Sequence, residues 1–233
     1  MKLLWLTDLH LEAAHPARRR EFFERLRTAA FDAVVVTGDI AEPGSLCSEF
    51  LELGKTCHPR KVYFVLGNHD VQGRDKRNMD EALRVIGRLQ PNLIPLGERQ
   101  VVPLSARSAL IGHQGAPDTS AESAASAAYF RDVLPWALTR FSRVFLATHV
   151  PPFTQAVKFS GCSIPPHKRK HFANRAAGRV IAGIARQFPQ KQLTVISGHT
   201  HCPTRTTISR SVEILVGGCR KGYPDLQEII EVP

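Results

Sequence analysis

Short apolar runs alternate with amphipathic stretches along the first part of the chain. The apolar runs KLLWLT, AVVVT and KVYFVL are rich in β-branched and aromatic residues, which favours buried strands. The stretches between them carry apolar residues at helical spacing, as at Phe22, Phe23 and Leu26. The pattern predicts a layered sheet with right-handed crossovers, with strands at 2–7, 33–37 and 61–66 and helices at 16–30, 45–56 and 75–89.

The pattern changes in the second half of the chain. Residues 112–126 are rich in Gly, Ala and Ser, which indicates a loop or a frayed helix, and residues 151–175 form a long polar segment without apolar periodicity. The β-rich tail suggests a second sheet packed on the first, and we expect a single domain over residues 1–233. Further predicted elements are helices at 129–139 and 176–188 and strands at 93–96, 100–104, 108–111, 143–148, 193–197, 204–209, 212–216 and 226–232.

Composition narrows the class of protein. A length of 233 residues with 43% hydrophobic residues suits one α/β domain with a substantial core. No apolar run approaches the roughly 20 residues that span a bilayer. The first apolar run is cut short by Asp8 and His10, so it does not resemble a signal peptide. We therefore expect a soluble cytoplasmic protein with no membrane partner; the oligomeric state is left open.

Cysteine usage and charge add two further expectations. The five cysteines are irregularly spaced and form no CxxC pair, which favours reduced thiols over disulfides or a structural zinc site. The net charge of +10 suits a small phosphorylated substrate. It also permits contact with nucleic acid, a partner that is not favoured because a clear strip of aromatic and basic residues is lacking.

Polar motifs stand at the ends of five predicted strands. The carboxyl ends of strands in layered α/β folds line one crevice, so the motifs should converge there. Their oxygen and nitrogen ligands suit Mn, Fe, Zn, Co or Ni, and they exceed what one tetrahedral zinc site uses. In chain order the motifs are Asp8-Leu9-His10, Gly38-Asp39, Gly67-Asn68-His69-Asp70, His149 and Gly198-His199-Thr200-His201.

Each motif taken alone has a structural explanation. DxH and GD both occur as turns, and in GNHD the Gly and Asn tolerate the positive φ of a tight turn. A lone histidine such as His149 more often has a structural role. The joint occurrence of all five motifs, in this order and after five strands, is what predicts a two-metal site.

In this order the motifs resemble the pattern of the calcineurin-like metallophosphoesterases, which is DxH, GD, GNHD or GNHE, a lone His, and GHxH. The resemblance spans residues 8–201. It implies a four-layer α/β/β/α sandwich, in which two mixed sheets are flanked by helices. It also implies that Asp8, His10 and His201 bind one ion, that Asn68, His149 and His199 bind the other, and that Asp39 bridges both.

The resemblance gives the next two residues catalytic roles. His69 is the residue that the family uses near the leaving group, as a proton donor or as a stabiliser of its charge. Asp70 either orients His69 or caps the following helix. The implied reaction is hydrolysis by a hydroxide that bridges two divalent or trivalent ions and attacks phosphorus. The ions would be Mn²⁺, Fe²⁺ or Fe³⁺, Zn²⁺, Co²⁺ or Ni²⁺.

Departures from subfamily patterns narrow the substrate. The chain lacks GDxxDRG and has Glu42 where purple acid phosphatases place a tyrosine. It resembles small bacterial-type phosphodiesterases acting on small or nucleotide-like substrates, with phosphomonoesterase and nuclease activity as alternatives. A non-catalytic scaffold is disfavoured, because a scaffold has no need of a complete ligand set. The basic segment 165–175 is either a wall of the substrate cleft or a solvated loop.

Overall fold

Alternate residues of the strands face two different cores. In the first strand, Leu4 and Leu6 join a core beneath helices, whereas Leu3 and Trp5 join a core shared with a second sheet. The structure is a computed structural model that describes residues 1–97, 100–159 and 162–233, with the backbone alone for residues 76, 159, 162 and 163. Buried apolar residues on both faces of a strand require a cover on each side, which is what a layered sandwich provides.

The first sheet contains the N-terminal half of the chain and one late strand. Its strand order is β13-β1-β2-β3-β4, with β1 to β4 parallel and β13 antiparallel to β1. The strands are β1 (Lys2–Leu6), β2 (Ala33–Thr37), β3 (Lys61–Val65), β4 (Leu93–Pro95) and β13 (Glu228–Glu231). The helices of this half are α1 (Pro16–Thr28), α2 (Leu46–Cys57), α3 (Asn68–Val71) and α4 (Lys76–Leu89), and a 3₁₀ turn spans Leu11–Ala13.

The second sheet contains most of the remaining chain. Its order is β11-β12-β10-β7-β6-β5, with the four inner strands parallel and both edge strands antiparallel. The strands are β5 (Val102–Pro103), β6 (Ser108–Gly112), β7 (Arg143–Ala147), β10 (Gln192–Ser197), β11 (Thr204–Ser209) and β12 (Val212–Val216). Helices α5 (Ser123–Arg140) and α6 (Arg175–Gln187) cover its outer face.

Three apolar layers hold this arrangement together. One lies between the first sheet and α1, α2 and α4, and another lies between the second sheet and α5 and α6. The middle layer joins the sheets through residues such as Trp5, Val35, Phe145 and Ile196. The predicted four-layer sandwich of two mixed sheets is therefore confirmed.

Two sequence predictions need correction, and one segment without a predicted element contains short ones. The helix predicted at 129–139 begins earlier, at Ser123, because an alanine-rich stretch favours helix and its small residues pack closely against α6. The last predicted strand pairs with β1 and not with the second sheet, since periodicity predicts a strand but not its neighbour. The polar segment 151–175 contains 3₁₀ turns at Thr154–Ala156 and Pro166–His171 and a short pair, β8 (Lys158–Phe159) with β9 (Cys162–Ser163).

None of the helices in the described part of the chain has the length and apolar character needed to cross a membrane.

Candidate metal centre

The loops that carry the five motifs meet at one edge of the sandwich. Parallel strands bring their carboxyl ends to a common edge, and backbone contacts tie the loops to one another there. The Asp8 N–H donates to the Gly38 carbonyl at 2.9 Å. Between the sheets, His149 Nδ1 lies 2.9 Å from the Thr37 carbonyl oxygen. The predicted convergence of Asp8, Asp39 and His149 is therefore present.

Four of the predicted ligands form a first group. Ligand atoms of Asp8, His10, Asp39 and His201 all lie within 4.8 Å of one another. His201 Nε2 is 3.2 Å from Asp8 Oδ1 and 3.4 Å from His10 Nε2. Thr7 Oγ1 donates to Asp8 Oδ2 at 2.7 Å, which fixes the carboxylate.

A second group lies on the other side of Asp39. Asn68 Oδ1 is 3.0 Å from His149 Nε2 and 3.0 Å from His199 Nδ1. The two histidine nitrogens are themselves 3.3 Å apart. The contact of His149 Nδ1 with the Thr37 carbonyl places the proton on Nδ1 and leaves Nε2 free to act as a ligand.

Asp39 belongs to both groups. Its Oδ2 atom lies 3.4 Å from His149 Nε2 and 3.8 Å from His10 Nε2. Its Oδ1 atom accepts the backbone N–H of His69 at 2.9 Å. A carboxylate in this position can reach two ions, as the resemblance implies for Asp39.

The spacing of these atoms fits metal coordination. Ligands about 2.0–2.2 Å from a common ion lie about 3.0 Å apart at right angles and about 3.4 Å apart at a tetrahedral angle. Five separations between ligand atoms lie at 3.0–3.4 Å and match this range, whereas His10 Nε2 and Asp39 Oδ2 lie further apart, at 3.8 Å. The imidazole of buried His10 also lacks a partner for Nδ1 among the described residues. The other ring nitrogen, Nε2, faces His201 and Asp39 and is therefore the one available to a cation.

The backbone of the ligand loops is strained. Five non-glycine residues in the described chain have positive φ, and all five are predicted ligands: Asp8 (49°), His10 (42°), Asp39 (52°), His199 (71°) and His201 (55°). The left-handed conformation costs about 1–2 kcal/mol for such residues. Strain confined to one set of polar residues indicates that their side-chain directions serve a function.

Glycines that precede the ligands allow their loops to approach the carboxylates of neighbouring loops. A Cβ atom on Gly67 would stand 2.1 Å from Asp39 Oδ1, and one on Gly198 would stand 2.1 Å from Asp8 Oδ2. These distances are far below van der Waals contact, so neither position has room for a side chain. The glycines of GNHD and GHTH are thus explained by packing against carboxylates.

The charges of the site are strongly coupled. Burial alone would raise the pKa of Asp39, but the charge and hydrogen bond of His149 hold it below the usual range. Burial opposes protonation of His149, yet Asp39 raises its pKa to about 9. Burial and the charge of His149 lower the pKa of His199 to about 4. A positive charge is therefore favoured beside Asp39, where the two groups meet.

The centre has a buried floor and an open rim. Asp8, His10, Asp39 and His149 are buried. Asn68 is exposed, and His69, His199 and His201 are partly exposed. These four exposed or partly exposed residues form the rim of the centre, which solvent reaches. A substrate can approach from this side while the buried ligands stay shielded from water.

His69 stands at the rim beside the first group. Its ring centroid lies 4.9 Å from that of His10. Its Nδ1 atom lies 2.8 Å from Glu42 Oε1, so the glutamate is its side-chain partner. In the sequence, Glu42 stands out only as a departure from the purple acid phosphatase pattern, and no motif spacing marks it as a partner of His69.

Asp70 faces a different set of partners. Its carboxylate accepts backbone N–H groups of Gly67 at 2.7 Å, Ile40 at 2.7 Å and Ala41 at 3.0 Å. Burial and the charge of Asp39 raise its pKa to about 7. Asp70 lies within α3, where its contact with Gly67 is that of a capping box, and its other two contacts bind the loop after β2. None of them orients His69, whose imidazole is paired with Glu42.

One residue near the first group was not predicted. Cys219 places its sulfur within 4.8 Å of a ring nitrogen of His10 and of His201. Burial, with the charges of Asp8 and Asp39, raises the pKa of this thiol to about 12. The irregular spacing of the five cysteines gave no signal that would single out Cys219.

Four histidines outside the motifs have other positions. His15 caps α1 by accepting the Ala17 N–H at 3.3 Å. His113 accepts the Gly115 N–H at 3.0 Å. His167 and His171 are exposed, although the His171 carbonyl oxygen lies 3.5 Å from His199 Nε2. This contact places the basic segment against the rim.

Comparison with solved structures supports the fold. The chain is similar to a dimetal phosphatase from Danio rerio, with 12% identity and a TM-score of 0.64 over 94% of this chain and 87% of that chain. A protein from Thermus thermophilus is 11% identical, with a TM-score of 0.60 over 93% of this chain and 88% of that chain. A 5'-nucleotidase from Candida albicans is 12% identical, with a TM-score of 0.54 over 93% of this chain and 45% of that chain. The chain therefore spans less than half of that protein. No match was found among curated proteins.

A family match covers most of the chain. Residues 1–203 match the family described as calcineurin-like phosphoesterase. The matched region contains all five polar motifs, from Asp8 to His201, and the two groups of ligand atoms described above. The resemblance inferred from the motifs is thereby confirmed. The chain belongs to the calcineurin-like phosphoesterase family and is a metal-dependent phosphoester hydrolase.

Proposed function

We propose that the protein is a phosphodiesterase that acts on a small or nucleotide-like substrate with two bound metal ions. Asp8, His10 and His201 would hold one ion and Asn68, His149 and His199 the other, with Asp39 shared. The observation that carries the proposal is the position of Asp39 Oδ2, 3.4 Å from His149 Nε2 and 3.8 Å from His10 Nε2. Bound ions would supply Lewis acidity and lower the pKa of water at the centre.

Hydrogen bonds preorganise the ligand side chains for metal binding. The Thr37 carbonyl fixes the tautomer of His149, and Thr7 fixes the carboxylate of Asp8. The His199 N–H also binds Asp8 Oδ1 at 3.0 Å, which ties the GHTH loop to the DLH loop. Fixed ligands need little reorganisation when a substrate binds, which favours catalysis.

His69 would act on the leaving oxygen. Because Nδ1 lies beside Glu42, Nε2 is the ring nitrogen available to the substrate. From the rim it would donate a proton to the leaving oxygen as the ester bond breaks. The alkoxide that leaves from a phosphoester needs such a proton, whether the substrate is a diester or a monoester.

Charge supports a diester over a monoester. Asp8 and Asp39 are the two carboxylates of the predicted ligand set, and the remaining ligands are neutral when they bind metal. Two divalent ions, two carboxylates and one hydroxide leave a charge of about one positive unit at the centre. This matches a diester, which carries one negative charge, better than a monoester, which carries up to two.

The basic segment adds to the substrate side. Its Phe172 ring lies 6.1 Å from the His199 ring, and the His171 carbonyl approaches His199. Lys168 and Lys170 of the same segment are exposed. We propose that the segment 165–175 forms a wall of the cleft and attracts a phosphorylated substrate.

The test compares bis-p-nitrophenyl phosphate with p-nitrophenyl phosphate in the presence of Mn²⁺ and in the presence of EDTA. We expect faster cleavage of the diester and loss of turnover in EDTA. Faster cleavage of the monoester would replace the proposal with a phosphatase. The His69→Ala variant should lose about 100-fold or more in turnover while its metal content stays unchanged; loss of metal from that variant would contradict the role given to His69.

A further inference from the structure

The loop after β12 lies beside the metal centre, so six strands have their carboxyl ends there. Strand β12 is parallel to β10, so its carboxyl end lies beside the GHTH loop. Residues 217–219 follow it directly. The Gly217 N–H donates to the Ser197 carbonyl at 2.8 Å, and the Cys219 N–H donates to the His201 carbonyl at 3.3 Å. Cys219 is thus fixed next to a predicted ligand.

Close packing holds this loop against the first group. A Cβ atom on Gly217 would stand 2.3 Å from Thr7 Cγ2, directly before Asp8. Gln227 fixes the next residue through two hydrogen bonds with Gly218, both of 2.9 Å. The backbone that carries Cys219 is therefore well positioned, and a short side chain decides where the sulfur lies.

We infer that Cys219 binds the same ion as His10 and His201, as a thiolate ligand. The sulfur and one ring nitrogen of each histidine lie within 4.8 Å of one another. A thiolate about 2.3 Å and an imidazole about 2.1 Å from one ion lie about 3.1–4.4 Å apart, depending on the angle. The S–H proton passes to solvent as the sulfur–metal bond forms.

The chemistry of this position differs from that of the second group. A soft thiolate beside imidazoles strengthens the preference of this position for zinc or iron over manganese, whereas the second group has only an amide, imidazoles and the shared carboxylate. The added negative charge lowers the net charge of the centre from about one positive unit to about zero with two divalent ions, and a charge of about one positive unit then requires one trivalent ion. The inference rests on the metal centre of the proposed function.

Cobalt provides a direct readout. Full-length protein loaded with Co²⁺ should show a thiolate-to-cobalt charge-transfer band in the near ultraviolet, together with weaker visible bands from the metal itself. The Cys219→Ser variant should lose the near-ultraviolet band and keep the visible bands. The Cys202→Ser variant is the matched control and should keep both, because within the described residues the histidine–cysteine cluster contains Cys219 and not Cys202.

The outcomes separate this inference from the proposed function. Visible cobalt bands without a charge-transfer band in the wild-type protein would overturn the role of Cys219 and leave the metal centre intact. Failure to bind cobalt, manganese or zinc would overturn both. X-ray absorption of the wild-type zinc form requires no variant; a sulfur neighbour at about 2.3 Å supports the inference, and a shell of nitrogen and oxygen alone contradicts it.

Discussion

Glu42 Oε1 lies 2.8 Å from His69 Nδ1 and joins the loop after β2 to the loop after β3. The same loop after β2 carries Asp39, which accepts the His69 backbone N–H. The backbone and the ring of His69 are therefore both held by residues of one short segment. With Nδ1 beside Glu42, Nε2 is the ring nitrogen that remains for a substrate. The two contacts also explain how a partly exposed histidine keeps one orientation.

Replacing the carboxylate tests this contact. The Glu42→Gln variant keeps the size of the side chain but weakens the charge-assisted hydrogen bond to His69. We expect kcat to fall about 10- to 100-fold, with KM and metal content close to wild type. Steady-state kinetics with a diester and metal analysis provide the measurement.

Glu52→Gln is the control for that variant. Glu52 pairs with Arg19 on the surface of α2, away from the centre, and the same substitution there should leave kcat unchanged. A Glu42→Gln variant with wild-type kcat would show that His69 does not depend on Glu42.

Metal content tests the shared position of Asp39. The Asp39→Ala variant should lose both ions, because one carboxylate belongs to both groups of ligands. The His199→Ala variant removes a ligand of the second group alone and should retain about one ion per chain. Elemental analysis after dialysis distinguishes the two. Retention of one ion by Asp39→Ala would show that Asp39 binds a single metal.

Much of this centre follows from the sequence because its residues stand at strand ends. Buried strands such as AVVVT are recognised by composition, and the carboxyl ends of parallel strands share an edge. The convergence of Asp8, Asp39 and His149 required no further information. The seven predicted ligands lie in two groups whose spacing suits metal ions.

Other features depend on contacts between distant segments. Glu42 and Cys219 take their positions from the way loops pack, and neither lies in a motif with a recognisable spacing. Asp70 illustrates the converse case, since a position beside His69 in sequence predicts proximity but not direction. Strands β13 and β1 pair although more than two hundred residues separate them in the sequence, and no local pattern specifies such a partner.

A glycine substitution tests the close approach of the loops. Gly67→Ala would place a Cβ atom 2.1 Å from Asp39 Oδ1, so the carboxylate or the loop must move. We expect weaker binding of both ions and a free energy of unfolding lowered by about 1–3 kcal/mol. Metal titration and thermal unfolding measure the two effects.

Gly87→Ala provides the matched substitution. Gly87 lies in α4, and a Cβ atom added there would have no neighbouring atom of the described residues within 4 Å, so alanine should leave metal binding unchanged. It should raise the free energy of unfolding by up to about 1 kcal/mol, because glycine is the weaker helix former. Equal effects of the two substitutions would contradict a specific role for Gly67.

Proton release on metal binding follows from the charges at the shared carboxylate. Without metal, the pKa of His149 is raised to about 9 by Asp39, so its imidazole is protonated at pH 7.5. A histidine must be neutral to bind metal, so loading the second group should release close to one proton, and affinity should rise as pH rises towards 9. The pKa of His199 is lowered to about 4, so that residue is already neutral and adds no proton. Calorimetric titration of the Cys219→Ser variant with Zn²⁺, in two buffers of different ionisation enthalpy, measures the number released without a contribution from the Cys219 thiol. An observed enthalpy that does not depend on the buffer would show that His149 is neutral before metal binds.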